Sequence, residues 1–308
     1  MKLIIQIPCL NEETSIGQVL SELPREIPGF DQVETLVVDD GSTDKTVEAA
    51  RAAGVTHVLR LRHNKGLAAA FLAGVEECLR LGADVIVNTD GDNQYKGSDI
   101  PRLVAPIVEE KAEFVIGVRD IANIRHFSAR KKYLQYLGSW VVRKLSGTRI
   151  DDVTSGFRAF SRAAAIKLDL VTDYTHTLET IITLGKERTT IAQVLIATNP
   201  KVRNSRLFAS MLGYIVRCTA DMVRIHMRYE PLRTFGSLGV MFILIGCVDG
   251  TFYLADRLIE HSRSTVVLSL FPLFCTSGLL FIIMGFLGDS IACNRRMLSK
   301  LTRHLRNQ

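Results

Sequence analysis

Five short apolar runs recur through the first 120 positions: Leu3–Ile7, Thr35–Asp39, His57–Leu61, Asp84–Thr89 and Phe114–Val118. They are rich in Val, Ile and Leu and do not alternate with polar residues, the pattern of strands buried on both faces. Helical stretches are predicted between them. Thr43–Ala53 follows the polar cluster Ser42-Thr43-Asp44, which suits a helix start, with Ser42 or Thr43 as the cap. Gly66–Leu81 follows Asn64-Lys65, and Asp99–Glu110 carries Pro101 near its start, where proline is tolerated. Strand–helix alternation implies βαβ units and a mainly parallel sheet. Ligands of such sheets bind beyond the carboxyl ends of the strands.

The pattern changes toward the C-terminus. Residues 120–204 are mixed and basic, without a clear repeat. In 206–228, Phe208, Met211, Leu212, Ile215, Met222 and Val223 fall on one helical face, with Arg217, Arg224 and Arg228 opposite and Asp221 among them. That stripe suits a helix lying in a membrane interface; it also suits one packed on a soluble domain. Residues 234–254 then carry a single charge, Asp249, and residues 265–287 carry none. Each is long enough to cross a bilayer core of about 30 Å. Asp249 lies near the end of its span, where water is within reach.

Charge sets the expected topology. Arg217, Arg224, Arg228 and Arg233 precede the first span, and Arg295, Arg296, Lys300, Arg303 and Arg306 follow the second. The connection holds only Arg257 and Arg263. The positive-inside rule then puts both termini in the cytoplasm of a multi-pass cell-membrane protein. The expected organisation is a domain over 1–204, an amphipathic juxtamembrane helix over 205–232, and a transmembrane hairpin with a basic tail over 233–308.

Composition agrees. The 308 residues are 47% hydrophobic and 23% charged, which excludes a disordered or collagen-like chain. Mean hydropathy is +0.17, and the excess lies in the two spans. The net charge of +6 follows the apolar segments rather than an aromatic groove, so anionic membrane lipid is the expected partner and nucleic acid is not. The six cysteines show no ligand spacing and read as reduced, packed thiols. The opening MKLIIQIPCLNEE has too short an apolar run for a signal peptide.

Chemistry concentrates at four strand ends: Pro8-Cys9-Leu10-Asn11-Glu12-Glu13, Asp39-Asp40-Gly41-Ser42-Thr43-Asp44, Asn64-Lys65-Gly66, and Asp90-Gly91-Asp92-Asn93-Gln94. Asp90, Asp92 and the Gln94 amide form an all-oxygen donor set, which suits Mg²⁺ or Mn²⁺ and argues against zinc. Asp39 and Asp40 suit hydrogen bonds from a ribose or base. The phosphate loop GxxxxGK[ST] and the dinucleotide fingerprint GxGxxG are both absent.

These motifs, IPCLNEE, VDDGSTDKT, NKGLAAAFLAG and TDGDNQY, stand in an order that resembles the family-2 glycosyltransferases with a GT-A fold. Within that family the chain is similar to the polyprenyl-phosphate, dolichyl-phosphate mannose synthase-like enzymes over roughly residues 1–230. The resemblance implies that Pro8, Leu10, Asn11, Glu13 and Asp40 line the nucleotide, with Lys65 and Gly66 near its base or diphosphate. It implies that Asp90, Asp92 and Gln94 hold the metal, and that Arg119 and Arg130 face donor and acceptor phosphates. Ser155, in Ser155-Gly156-Phe157-Arg158, and Ser205-Arg206 match acceptor-side segments, the latter on a closing loop. Glu179 matches an acidic residue beneath the sugar. Two departures stand out: Tyr95-Lys96-Gly97 replaces a common Pro-Pro, and Arg206 replaces a common lysine.

The implied reaction is metal-dependent, inverting transfer of a sugar from a UDP- or GDP-sugar to undecaprenyl or dolichyl phosphate at the cytoplasmic membrane face, in cell-envelope glycan synthesis. A phosphate monoester is already anionic at neutral pH, with a second pKa of about 6. The reaction then needs no dedicated base. His126 and His176 are isolated, and Asp152 is the reserve base. A glycolipid or polysaccharide acceptor and a membrane scaffold are the alternatives, and a homo-oligomer is compatible with the sequence. The processive motif QxxRW is absent.

Overall fold

The computed structural model describes residues 1–119, 142–143, 146–168, 176–199, 211–259 and 265–306. The chain forms two compact units, Met1–Met222 and Val223–Gln308.

The first unit is built on one seven-stranded sheet. Its strands are β1 (Lys2–Cys9), β2 (Gln32–Asp39), β3 (His57–Arg60), β4 (Val85–Asn88), β5 (Phe114–Arg119), β6 (Arg158–Ser161) and β7 (Ile191–Ile196), in spatial order 3-2-1-4-6-5-7. β6 alone runs antiparallel, between β4 and β5. The five apolar runs become β1 to β5. The sequence pattern did not mark β6, β7, the short helix α1 (Ile16–Glu22), or the helices between β6 and β7. The other helices are α2 (Thr46–Ala52), α3 (Leu67–Arg80), α4 (Ile100–Val108), α5 (Arg162–Ile166) and α6 (His176–Lys186).

Burial on both faces explains the unbroken apolar runs. Leu3, Ile5, Ile7, Val37, Val85 and Val87 join Ile16 and Val19 of α1 and Leu103 and Val104 of α4 in one core cluster. On α3, the Phe71 ring lies 6.0 Å from Phe160, which stacks on Phe114 at 4.9 Å. Cys9 and Cys78 are buried free thiols, and burial pushes both pKa values up.

Register gathers the loops. Cys9 pairs with Asp39, so the segments after β1 and β2 leave the sheet side by side. Gln6 pairs with Asn88, and Asn88 with Arg158, which brings residues 89–94 beside residues 155–157. The ends of β1, β2, β4 and β5 and the start of β6 therefore share one edge.

Helix α7 (Met211–Tyr229) runs into the second unit, which holds α8 (Pro231–Ile259) and α9 (Thr265–Arg306). On α7, Asp221 and Ile225 are buried while Val223 is 50% exposed, so the apolar stripe and the buried side do not coincide throughout. Two stretches, Pro231–Ala255 and Leu270–Ser299, are long and apolar enough to cross a membrane. They pack backbone to backbone: a Cβ on Gly239 would lie 2.6 Å from the Gly278 carbonyl, and one on Gly278 would lie 2.7 Å from that of Gly239. Small residues of this kind let membrane helices approach closely. The basic stretch after the second span is helical. α9 continues to Arg306, because nothing after Gly288 breaks a helix. There Arg295 lies over the Tyr229 ring at 5.0 Å and donates to the Arg228 carbonyl. Asp249 is half-buried beside Gly250, which packs on Phe271.

Candidate active site

The β1 and β2 loops clasp each other. Asn11 adopts φ 55°, and its N–H donates to Ser42 Oγ at 2.9 Å while its Oδ1 accepts the Thr43 amide at 2.9 Å. The Glu12 amide donates to Thr46 Oγ1 at 2.8 Å, and Glu13 Oε2 accepts the Lys45 amide at 3.0 Å. Asn11 and Glu13 thus hold the adjoining loop as well as its rim. The buried acid here is Glu12, beneath Gly91, and not the exposed Glu13. Pro8 is buried and Leu10 is half-buried at the same edge.

Both neighbouring aspartates are already engaged within the fold. Asp39 is fully buried; its Oδ1 accepts the Ser42 amide at 2.9 Å, and it pairs with Arg60 at 3.2 Å. Asp40 accepts the amides of Lys65 and Gly66 at 2.8 and 2.9 Å, one on each oxygen. A carboxylate there complements the positive end of α3. The turn that allows this needs Gly41: at φ 77°, a Cβ would meet the Asn64 amide nitrogen at 2.8 Å. The α2 amide at Thr46 is instead met by Asp44, at 3.1 Å. The Lys65 side chain is exposed.

Across the β1 end stands the acidic loop. Asp92 Oδ1 accepts the Gln94 amide at 3.1 Å. No described residue donates a hydrogen bond to Asp90, whose carboxylate lies against Gly156; a Cβ there would sit 3.0 Å from Oδ1. Burial, with the Asp92 charge beside it, pushes Asp90 up to about 7. Two crowded oxygen-donor acids, one without a donor, fit a divalent cation. Among the described residues no third His, Cys, Asp or Glu completes a metal cluster, so coordination positions remain for ligand oxygens.

A polar ladder that the sequence reading overlooked supports this loop. Gln6 Nε2 donates to Asn88 Oδ1 at 2.9 Å, and Asn88 Nδ2 to the Gly156 carbonyl at 2.8 Å. The signal was present: Gln6 interrupts an apolar strand and Asn88 ends one. Tyr95, in place of the family's proline, stacks on Phe157 and accepts the Gly156 amide at 3.0 Å. Burial pushes its phenol up to about 12.

Arginines form the far wall. Arg119 donates through Nε and Nη2 to Asp152 at 2.7 and 3.0 Å, and from Nη2 to Thr154 Oγ1 at 2.8 Å. Arg158, 2% exposed, donates to the carbonyls of Val153, Ser155 and Thr177. Burial pulls its guanidinium down to about 10, still protonated at neutral pH. Burial and Arg158 together push His176 down to about 3, so it is neutral, beside the Phe71 ring. Burial alone would raise Asp152, but the Arg119 and Thr154 hydrogen bonds outweigh it and hold its carboxyl below the usual range. Ser155 and Glu179 are fully buried. Arg130, Ser205, Arg206 and His126 lie outside the described residues.

Comparison with known proteins gives the family and the fold. Residues 4–169 match the family described as Glycosyl transferase family 2. The chain is 30% identical over 214 residues to a UDP-N-acetylglucosamine–dolichyl-phosphate N-acetylglucosaminyltransferase of Methanococcus voltae, covering 62% of this chain and 83% of that one. It is 29% identical over 300 residues to an undecaprenyl-phosphate 4-deoxy-4-formamido-L-arabinose transferase of Shewanella sediminis, covering 93% and 86%. Among solved structures, a glucosyl-3-phosphoglycerate synthase of Mycobacterium tuberculosis, in complex with Mn²⁺, UDP-glucose and phosphoglyceric acid, superposes with a TM-score of 0.56. That match covers 73% of this chain and 79% of that one at 24% identity, and so speaks to the GT-A fold. The chain belongs to glycosyl transferase family 2 and is a glycosyltransferase.

Proposed function

We propose that the protein transfers a sugar, with inversion, from a nucleotide diphosphate sugar to a polyprenyl phosphate at the cytoplasmic face of the membrane. The observation that carries this reading is one sheet edge with an acid pair, Asp92 and a donor-free Asp90, on one side and the Arg119 guanidinium on the other. The two membrane-length helices and the named acceptors of the relatives support a lipid-borne acceptor.

The chemistry follows from these groups. An acceptor phosphate oxygen attacks the anomeric carbon as the bond from that carbon to the donor diphosphate breaks, and the electron pair leaves with the diphosphate. The acceptor is already ionised, so no side chain must take a proton. This agrees with a neutral buried His176 and an ion-paired Asp152. A divalent ion held by Asp90 and Asp92, with Gln94 beside them, would neutralise charge on the leaving diphosphate. Pro8, Leu10, Asn11, Glu13, Asp39, Asp40, Lys65 and Gly66 form or brace the nucleotide side. Ser155, Ser205 and Arg206 belong to the acceptor side, with Arg119 and Arg130 on its phosphate and Glu179 beneath the sugar. The arginines flanking the hairpin favour the cytoplasmic side for the first unit.

The test incubates the full chain in detergent with a short polyprenyl phosphate, Mg²⁺ or Mn²⁺, and a panel of UDP- and GDP-sugars. Mass spectrometry is expected to show a glycosyl phospholipid from one donor. Donor hydrolysis without lipid product would overturn the acceptor assignment.

Metal and pH are coupled in this reading. The folded, metal-free Asp90 holds its proton up to about pH 7, whereas the unfolded residue loses it near its ordinary value of 3.8. The metal-free protein therefore loses stability as pH rises from 4 to 7, because the native state binds the extra proton. A bound cation expels that proton, so metal affinity rises over the same window. Thermal unfolding with and without Mn²⁺, from pH 5 to 8, is expected to show a gap that widens with pH.

A further inference from the structure

The Arg119 side chain is about 10% exposed and Asp152 is fully buried. Two nitrogens of the guanidinium fork, Nε and Nη2, are spent on the Asp152 carboxylate, and Nη2 also reaches Thr154. Among the described residues, nothing accepts from Nη1. Asp152 is saturated in turn. Its Oδ1 accepts the Thr154 amide at 3.2 Å and hydroxyl at 2.9 Å besides Arg119 Nη2. The chain around it is pinned, because Arg158 holds the carbonyls of Val153 and Ser155 on either side of Thr154.

A carboxylate so filled is poorly placed to take a proton, but well placed to fix an arginine. We infer that Asp152 is the positioning residue of Arg119: with Thr154, it locks the guanidinium so that its Nη1 edge alone meets a phosphate oxygen. This rests on the proposed transfer reaction and names what orients its phosphate-binding arginine. It also limits that grip. Arg119 contributes one edge rather than a bidentate fork, so the remaining phosphate oxygens need other donors. Removing the Asp152 charge would free the guanidinium to rotate, and misplacement of about 1 Å costs up to about 100-fold in rate.

The test is a double-mutant cycle on the full chain, with Asp152→Asn, Arg119→Lys and the pair, assayed with the donor and polyprenyl phosphate found active for the wild type. Lysine cannot make the fork. Asp152→Asn is expected to lower kcat/KM for the acceptor by about 10- to 100-fold alone, and by less than about threefold in the Arg119→Lys background. Mn²⁺-dependent binding of UDP or GDP, whichever the wild type binds, should stay within about threefold. The pH profile of Asp152→Asn should keep the wild-type acid limb. Additive losses, or disappearance of that limb, would make Asp152 an independent base and overturn the inference while leaving the transfer reading intact. Absence of transfer by the wild type would overturn both. If Asp152→Asn does not fold, Thr154→Val removes one bond of the clamp; it should cost about 3- to 10-fold in acceptor kcat/KM, and no loss would count against the clamp.

Discussion

Asp92→Ala is expected to lower sugar transfer by more than about 100-fold, beyond what losing even an outer partner of a metal ligand costs. Two effects add. The substitution removes one of the two carboxylates facing the candidate cation position. It also frees the Gln94 amide that Asp92 Oδ1 accepts at 3.1 Å, so the third donor loses its fixed place. Asp92→Asn keeps an acceptor for that amide and loses only the charge, so its defect should shrink at high Mn²⁺ while that of Asp92→Ala does not. Transfer rates against Mn²⁺ concentration, with calorimetric titration of the ion, check both. Activity of Asp92→Ala within threefold of wild type would mean that the cation sits elsewhere. Relief of the crowding gives a further sign: burial keeps Asp90 raised, but without the Asp92 charge it moves part of the way back, so the pH-dependent stability gap narrows.

Arg158→Met is expected to be the most destabilising single change in the first unit. The side chain is 2% exposed and donates to three backbone carbonyls, on Val153, Ser155 and Thr177. Methionine fills much of the volume but leaves all three without a donor. Each buried unmade partner costs about 1–3 kcal/mol, and three approach the whole stability of a domain, about 5–15 kcal/mol. Arg158→Lys keeps the charge but reaches fewer carbonyls, and should fall between. Thermal unfolding in detergent measures the order wild type, lysine, methionine. A melting temperature for Arg158→Met within about 2 °C of wild type would show that these carbonyls find other donors.

The parts of the fold legible in the sequence are those set by local pattern. β1 to β5 announce themselves because a sheet covered on both faces needs unbroken apolar runs. β6 does not: its first residue is Arg158, and it pairs with strands far away in the chain. β7, at the sheet edge, is half-buried or exposed along its length until the buried Ile196. The four polar groups were legible for a topological reason, since parallel strands deliver their carboxyl ends to one edge. What each residue does there was less so. Glu12 and Glu13 are neighbours, and the turn at Asn11, with its positive φ, decides which is buried. Asp39 and Asp40 look available until the loops at Ser42 and at Lys65-Gly66 fold onto them. Gln6, Asn88 and Arg158 form the support beneath the site, and their partners are long-range.

The late insertion of β6 has a consequence for synthesis on the ribosome. Asn88 and its partner Gly156 are 68 residues apart. At about 5–20 residues per second, the four strands that carry the nucleotide-side loops emerge about 3–14 s before the wall against which Asp90 rests. The nascent chain thus passes through an interval in which the acidic loop has no lining. Its sheet also ends in an unpaired β4 edge, the kind of surface that recruits foreign strands. Slowing translation between the emergence of β4 and that of β6 should lengthen that exposure and raise aggregation, while the same pause placed after β6 has emerged should not.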